Sequence, residues 1–199
     1  MSRDPRYDIL FEPVKIGPVT AKNRFYQVPH CTGMGSQRPR TLAAMRGVKA
    51  EGGWAVVCTE YTSIHPASDD LHYVSASLWD DSDVRAHSLM TDLVHEHGAL
   101  AGAELWFGGV RTANLGTRLT SMDVASYPNS VGHPFQTRAM DRKDIRDLRR
   151  WHRAGAADAA ALATPLVEAV DGRAPDPGWR VPDGWLDGLM PYALSLGDI

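Results

Sequence analysis

The sequence contains only two cysteines among its 199 residues, Cys31 and Cys58. Two cysteines rule out a disulfide scaffold and cannot alone hold a four-cysteine zinc or iron–sulfur site. No apolar run approaches the roughly 20 residues that span a bilayer, and the first residues lack the basic and apolar regions of a secretory signal. A net charge of −3 gives no electrostatic reason to expect nucleic acid or an anionic membrane as a partner. These absences predict a soluble, cytoplasmic protein.

Several common functional motifs are also absent. No G-x-G-x-x-G pattern opens a helix after a strand, and there is no G-x-x-x-x-G-K-[ST] loop, so neither dinucleotide nor nucleoside-triphosphate binding is indicated. The G-x-S-x-G elbow of serine hydrolases and the H-E-x-x-H pair of zinc proteases are missing too. One polar loop holds His65, Asp69, Asp70 and His72, but their spacing matches no known ligand set, so a solvated loop and no metal site are predicted.

The chain alternates apolar strand patterns with helical patterns. Residues 54–59 (WAVVCT) form an almost continuous apolar run, which is typical of a strand buried on both faces. The pattern predicts an α/β fold with a small hairpin near residues 14–20, followed by three parallel neighbouring strands in chain order. The predicted strands are residues 24–30, 54–60 and 99–106, and the predicted helices are near 41–51, 83–97 and 141–153.

The composition changes abruptly at Ala154. Of the 46 residues from there to the end, 27 are Ala, Gly, Pro or Asp, and five prolines interrupt every candidate element. This atypical tail, residues 154–199, has two interpretations: a real segment rich in Pro, Gly and Ala, either disordered or loosely structured, or translation from a shifted reading frame of a GC-rich gene. The second is preferred, because the resemblance to a known family, given below, stops inside an amphipathic helix.

Polar and aromatic residues follow each predicted strand. Ligands of parallel α/β folds bind where the carboxyl ends of the strands meet. The first strand leads into Pro29, His30 and Cys31, the second ends at Tyr61, and the third carries Glu104. Backbone groups near Pro29 and the Glu104 carboxyl suit a planar cofactor with a pyrimidine-like edge. Cys58 lies within an apolar strand and is predicted to be a core residue.

Several motifs in order resemble the old yellow enzyme family of flavin oxidoreductases, and most of all its amine-oxidising branch of trimethylamine, dimethylamine and histamine dehydrogenases. The resemblance covers about residues 8–153. The matching motifs are residues 10–13 (LFEP), 22–25 (KNRF), 27–31 (QVPHC), 50–55 (AEGGWA), 59–61 (TEY) and 104–106 (ELW).

The resemblance implies a (β/α)8 barrel, also called a TIM barrel, with FMN at its C-terminal mouth. In this family the segment matching Pro29, His30 and Cys31 lines the flavin, and the matching cysteine is joined covalently to C6 of the ring. The aromatic residue matching Tyr61 lies over the flavin and helps to enclose an alkylammonium, which makes Tyr61 the predicted catalytic residue. The resemblance makes Glu104 a cofactor contact and a small amine, tertiary by preference, the expected substrate.

The chain departs from the family pattern in length and in missing parts. A full barrel takes about 250 residues, whereas domain 1–153 contains three recognisable strands. The family's fourth-strand Tyr and His, its phosphate-binding loops, the cysteines of an iron–sulfur cluster and the nucleotide-binding domains have no counterpart. Two functions remain: an FMN-dependent amine dehydrogenase of which this is the N-terminal part, or a non-catalytic remnant that binds flavin weakly at most. We expect the chain alone to be inactive; its oligomeric state is left open.

Overall fold

The structure is a computed structural model that describes residues 4–17, 19–35, 37–69 and 75–171. Short 3-10 helices occur at Pro5–Phe11, Pro66–Ser68 and Gly109–Arg111. The strands and α-helices of the described residues are, in chain order, β1 (Val14–Ile16), β2 (Val19–Ala21), β3 (Tyr26–Gln27), α1 (Pro39–Glu51), β4 (Val56–Ser63), β5 (Ala76–Ser77), α2 (Asp81–Glu96), β6 (Leu100–Trp106), β7 (Met122–Asp123), β8 (Arg138–Ala139) and α3 (Arg142–Asp171).

A small hairpin precedes the main sheet. Strands β1 and β2 pair antiparallel, with Val14 opposite Ala21. The turn between them uses Gly17 at φ +58°, a left-handed conformation that favours glycine. Ala21 and Val14 pack against Ala55 and Cys58 at the start of β4, so the hairpin covers one end of the sheet. The hairpin predicted near residues 14–20 is confirmed.

The main sheet is parallel and has β4 at its centre. Strand β3 pairs with β4 through Tyr26 and Gln27, and β6 pairs with the opposite edge of β4. The predicted order of the three strands is therefore confirmed, although β3 is much shorter than the predicted strand 24–30. Its pairing ends just before Pro29, which has no backbone N–H to continue a ladder.

Helices α1 and α2 cover one face of the sheet. Their apolar residues pack on the β4 and β6 side chains in one core, formed by Ala43, Ala50, Val57, Met90, Val94 and Ala99. Helix α2 is capped by Asp80, whose carboxylate accepts the N–H groups of Ser82 and Asp83. Within the described residues the parallel neighbours β3, β4 and β6 form an open sheet and do not close a barrel.

Helix α3 crosses the composition shift at Ala154 and runs to Asp171. The predicted helix 141–153 is thus confirmed as the first part of α3, which continues beyond it to Asp171. A run of alanines follows Arg153, and alanine has the highest helix propensity, which favours continuation of the helix beyond the shift. Gly155 lies close to Ile64 and Leu105, so the helix packs on the sheet beyond the shift. Residues 172–199 lie outside the described residues, and the frame-shift interpretation of the tail stays a prediction.

The long connections contain short elements that the sequence pattern does not indicate. Strand β5 adds to the same edge of β4 as β3, beyond the point where β3 ends. Strands β7 and β8 form a small parallel pair in the segment after β6, whose sequence pattern predicts irregular structure. No helix in the described part of the chain is both long and apolar enough to cross a membrane.

Candidate functional site

The loop after β3 carries three of the predicted cofactor contacts. Pro29 is half-buried, whereas His30 and Cys31 are exposed. The loop begins at the carboxyl end of β3 and leads into α1, which starts at Pro39. The thiol of Cys31 is therefore accessible at the sheet edge where parallel α/β folds bind ligands.

A buried arginine holds the His30 end of this loop. Arg46 of α1 is fully buried, and its Nη2 donates to the His30 carbonyl oxygen at 2.9 Å. Its Nη1 lies 3.2 Å from Nδ1 of the His30 ring, which Nε2 of Gln27 also approaches at 3.4 Å. Because both neighbours are N–H donors, Nδ1 acts as an acceptor and the ring proton belongs on Nε2. Burial, and then the charges of Arg46 and Lys49, lower the pKa of His30.

A buried carboxylate holds the other end of the loop. Glu60 of β4 has no exposed surface. Its Oε2 accepts the backbone N–H of Thr32 at 2.6 Å, the Thr32 hydroxyl at 3.1 Å and the N–H of Gly33 at 3.2 Å. Its Oε1 accepts the N–H of Gly35 at 2.6 Å. Cys31 thus lies between a residue held by Arg46 and a residue held by Glu60.

A β-bulge determines which side chains share a face with Cys58. On β6, Gly102 and Glu104 are two residues apart and lie on one face. On β4 their partners are Cys58 and Tyr61, which are three residues apart, so β4 has one extra residue between them. In a regular strand Cys58 and Tyr61 would face opposite sides. The bulge restores the alternation and places Tyr61 beside Glu104.

Tyr61, Glu104 and Trp106 form a polar and aromatic group at the carboxyl ends of β4 and β6. The Tyr61 and Trp106 rings lie 4.7 Å apart between centroids and are tilted by 50°. Trp106 is half-buried and follows Glu104 by two residues, so it lies on the same face as Glu104. The Glu104 side chain is exposed. An exposed carboxylate next to an aromatic pair can accept N–H donors and attract a cation.

Cys58 lies in the core, as predicted. It is buried, and its thiol donates to the Tyr26 hydroxyl at 3.0 Å. Burial is the main cause that raises the pKa of the Cys58 thiol. Burial also raises the pKa of Tyr26, to about 12, together with the Cys58 contact. Both groups stay protonated at neutral pH, which leaves Cys31 as the accessible thiol.

The sequence reasoning missed Arg46 and Glu60 as parts of this site. A signal for Arg46 exists, because the buried face of α1 is formed by Leu42, Ala43, Arg46, Gly47 and Ala50. These positions follow helical spacing, so a charge among them needs a partner inside the protein. Glu60 follows the apolar run of β4, and its partners lie 25 to 28 residues earlier in the chain, which no local pattern reveals.

The polar loop after β4 is less solvated than predicted. Asp69 is 1% exposed, and its Oδ2 accepts the N–H groups of Gly116 and Thr117. His65 accepts the N–H of Ala67 through Nδ1. Asp69 and His65 therefore serve to join loops. Among the described residues, which exclude 70–74, no three His, Cys, Asp or Glu side chains form a group that could hold a metal ion.

Comparison with known proteins decides the family. A sequence model of the NADH:flavin oxidoreductase / NADH oxidase family matches residues 9–166. The chain belongs to this family. The match continues beyond residue 153, the predicted end of the motif resemblance.

Relatives within the flavin oxidoreductase family include amine dehydrogenases. The chain is 46% identical over 157 residues to a dimethylamine dehydrogenase of Hyphomicrobium sp. (strain x), which covers 75% of this chain and 21% of the relative. It is 26% identical to an NADPH dehydrogenase of Listeria welshimeri, over 71% of this chain and 43% of that protein. The structure resembles histamine dehydrogenase from Rhizobium sp. 4-9 with a TM-score of 0.76 and 44% identity, over 79% of this chain and 23% of that one. The chain therefore spans a fifth to under a half of these relatives.

The fold is that of the N-terminal part of a TIM-barrel flavin enzyme. An old yellow enzyme homologue from Zymomonas mobilis matches with a TM-score of 0.65 at 22% identity, over 77% of this chain and 46% of that one, which supports the fold alone. FMN is the cofactor of the family. The residues of this site fit one face of such a ring, because an accessible thiol, an exposed carboxylate and an aromatic pair lie at the carboxyl ends of adjacent parallel strands.

Proposed function

We propose that this chain supplies the flavin-attachment part of an FMN-dependent dehydrogenase that oxidises small amines. The observation that carries the proposal is the group of Cys31, Tyr61 and Glu104 at the carboxyl ends of β3, β4 and β6. Its 46% identity to a dimethylamine dehydrogenase and its structural likeness to a histamine dehydrogenase support an amine as substrate. FMN, when bound, supplies the acceptor for the two electrons that leave the amine as a hydride.

The protein's own residues bind and orient the reactants. Pro29 and the His30 backbone would hold one edge of the flavin, and the exposed Glu104 carboxylate would accept an N–H from its pyrimidine edge. Tyr61, backed by Trp106 at 4.7 Å, presents an aromatic face to the amine. A ring face attracts a methylated ammonium by roughly 0.5–2 kcal/mol, depending on how far the site is desolvated. This arrangement favours a tertiary amine, whose methyl groups also gain from apolar contact.

Cys31 is the proposed covalent attachment point of FMN. Its thiol would hold FMN through a sulfur–carbon bond to ring position 6; the thiol and ring hydrogens would leave as two protons, and dioxygen would be the two-electron oxidant. The loop geometry supports this role, because the residues on both sides of Cys31 are held by buried charged groups and the thiol itself is exposed.

The proposal can be tested in a chimera in which residues 9–166 of this chain replace the matching part of the Hyphomicrobium dimethylamine dehydrogenase. We expect the chimera to keep FMN after acid denaturation and to oxidise trimethylamine or dimethylamine. Cys31→Ala should release the flavin on denaturation, whereas the matched control Cys58→Ala should retain it. Flavin retained by the Cys31→Ala chimera would contradict the assignment of Cys31.

A second candidate function applies to the 199-residue chain by itself. Strand β6 pairs only with β4 in the described residues, and several large apolar residues are exposed, including Tyr7, Ile9 and Val28. A site with one wall buries too little of a ligand to bind it tightly. We propose that the chain alone binds FMN weakly and oxidises no amine. Quenching of FMN fluorescence by stoichiometric binding at micromolar concentration, or amine-dependent dye reduction, would contradict this.

A further inference from the structure

The loop that carries Cys31 is held by two buried charged side chains from different elements. Glu60 accepts four hydrogen bonds from Thr32, Gly33 and Gly35, although it comes from β4 and has no exposed surface. Hydrogen bonds to an ionised carboxylate are about twice as strong as neutral ones. The carboxylate therefore fixes the backbone at three positions after Cys31, namely Thr32, Gly33 and Gly35.

Arg46 completes the arrangement from α1. Its Nη2 holds the His30 carbonyl, directly before Cys31 in the chain. Burial lowers the pKa of Arg46, and the nearby Glu60 charge opposes this shift. A buried charge is stable only near an opposite charge or strong hydrogen-bond partners. Arg46 and Glu60 thus stabilise each other while each holds one end of the same loop.

The packing around the loop leaves little room for another geometry. A Cβ added to Gly35 would lie 2.3 Å from Glu60 Oε1 and 2.6 Å from the backbone nitrogen of Ala76. The close approach of backbone and carboxylate therefore requires glycine at this position. The Cys31 side chain, between the two held segments, is exposed.

We infer that Glu60 is a positioning residue for Cys31: with Arg46, it holds residues 30–35 so that the thiol is presented at the carboxyl ends of β3 and β4. This inference rests on the proposed function for what the thiol does. Glu60 and Arg46 contact the loop and act on the thiol through it.

The first test uses the complete 199-residue chain without flavin. Glu60→Gln keeps the shape of the side chain but replaces one acceptor oxygen by a donor. We expect hydrogen exchange of the Thr32 and Gly35 amides, followed by NMR, to accelerate by roughly 10–100-fold. Amides of α2 should change by less than about twofold, because the four hydrogen bonds of the carboxylate go to the loop. Unchanged exchange at both loop amides would overturn the inference.

Asp69→Asn is the matched control. Asp69 is also a buried carboxylate that accepts two backbone N–H groups, but from Gly116 and Thr117. This variant should accelerate exchange at those two amides and leave residues 32–35 unaffected. Loss of exchange protection at the α2 amides would show that Glu60→Gln unfolds the chain. In that case Thr32→Val is used as the test variant instead. That variant removes only the hydroxyl donor at 3.1 Å, and its loop should still exchange faster than the wild-type loop.

The second test measures flavin attachment in the dimethylamine dehydrogenase chimera. Glu60→Gln should lower the fraction of FMN that stays with the denatured polypeptide by at least fivefold, whereas Asp69→Asn should not. Equal retention in Glu60→Gln and wild type, despite faster loop exchange, would overturn the positioning role. If the wild-type chimera itself attaches no flavin, the proposed attachment fails, and the exchange experiment still decides whether Glu60 holds the loop.

Discussion

Gly102 provides a sharp test of the register between β4 and β6. It lies opposite Cys58, and a Cβ at this position would lie 2.5 Å from the Cys58 sulfur. The next nearest atoms, Cβ and Cα of Cys58, are at 3.7 and 3.9 Å, which are ordinary contacts. The perturbation in Gly102→Ala is therefore a clash with a single buried atom.

The expected loss of stability follows from two opposing effects. Overpacking of a buried position costs about 1–3 kcal/mol. Replacing glycine by alanine, at a φ outside the left-handed region, restricts the unfolded chain and returns about 0.4–1 kcal/mol. We expect Gly102→Ala to lower the free energy of unfolding by about 0–2.6 kcal/mol. In a Cys58→Ala background the clash is gone, so the same change should be neutral or stabilising.

The assay is urea denaturation of wild type, both single variants and the double variant, followed by far-UV circular dichroism. The m-values should agree among the four proteins, so that the midpoints report stability. The coupling between the two sites should be about 1–3 kcal/mol in favour of the double variant. If Gly102→Ala costs the same with and without the Cys58 sulfur, the register that pairs Gly102 with Cys58 is refuted.

Three further predictions concern the helix cap, pH and the amine site. Asp80→Ala should lower the melting temperature by roughly 2–4 °C, and Ser82→Ala should lower it by less. The Ser82 hydroxyl and N–H lower the pKa of Asp80. The difference in melting temperature between Asp80→Ala and wild type should therefore vanish as the pH falls below about 4. Burial lowers the pKa of His30, His65, His87 and His95. Their contribution to stability is present above pH ~6.5 and is lost below it, so His87→Gln should flatten the fall in unfolding free energy between pH 7 and 5. In the chimera, Tyr61→Leu should raise KM for trimethylamine about 2–30-fold, whereas Tyr61→Phe should keep the wild-type KM.

The strand order could be predicted from sequence, because the apolar runs of β4 and β6 are long and their crossovers contain helices. The bounds were less predictable. Pairing of β3 ends at Gln27, shortly before Pro29, and β5 is a two-residue strand that depends on β4 for its position. Helix α3 continues through an alanine-rich segment that contains Pro165, a residue that predicts a break. In each case the bounds of the element depend on packing or helix propensity, which the local hydrophobic pattern does not reveal.

Some residues of the candidate site could also be predicted from sequence, whereas their arrangement could not. Linear motifs shared with the family pointed to Cys31, Tyr61 and Glu104 as candidates, because such motifs can be recognised without a three-dimensional structure. The placement of Tyr61 beside Glu104 depends on the β-bulge between Cys58 and Tyr61, which strict alternation would miss. The contacts of Glu60 reach back 25 to 28 residues along the chain and need three-dimensional structure to be found.

The central claim, that these strand ends hold FMN with Cys31 as its attachment point, is tested most directly by peptide mass spectrometry. In the chimera, trypsin should release a peptide that begins at Phe25 and contains Cys31. We predict that this peptide carries the mass of FMN less two hydrogens, that it shows flavin absorbance, and that both signals vanish in Cys31→Ala. FMN on a different peptide, or a flavin-containing chimera whose Cys31 peptide has its unmodified mass, would contradict the account.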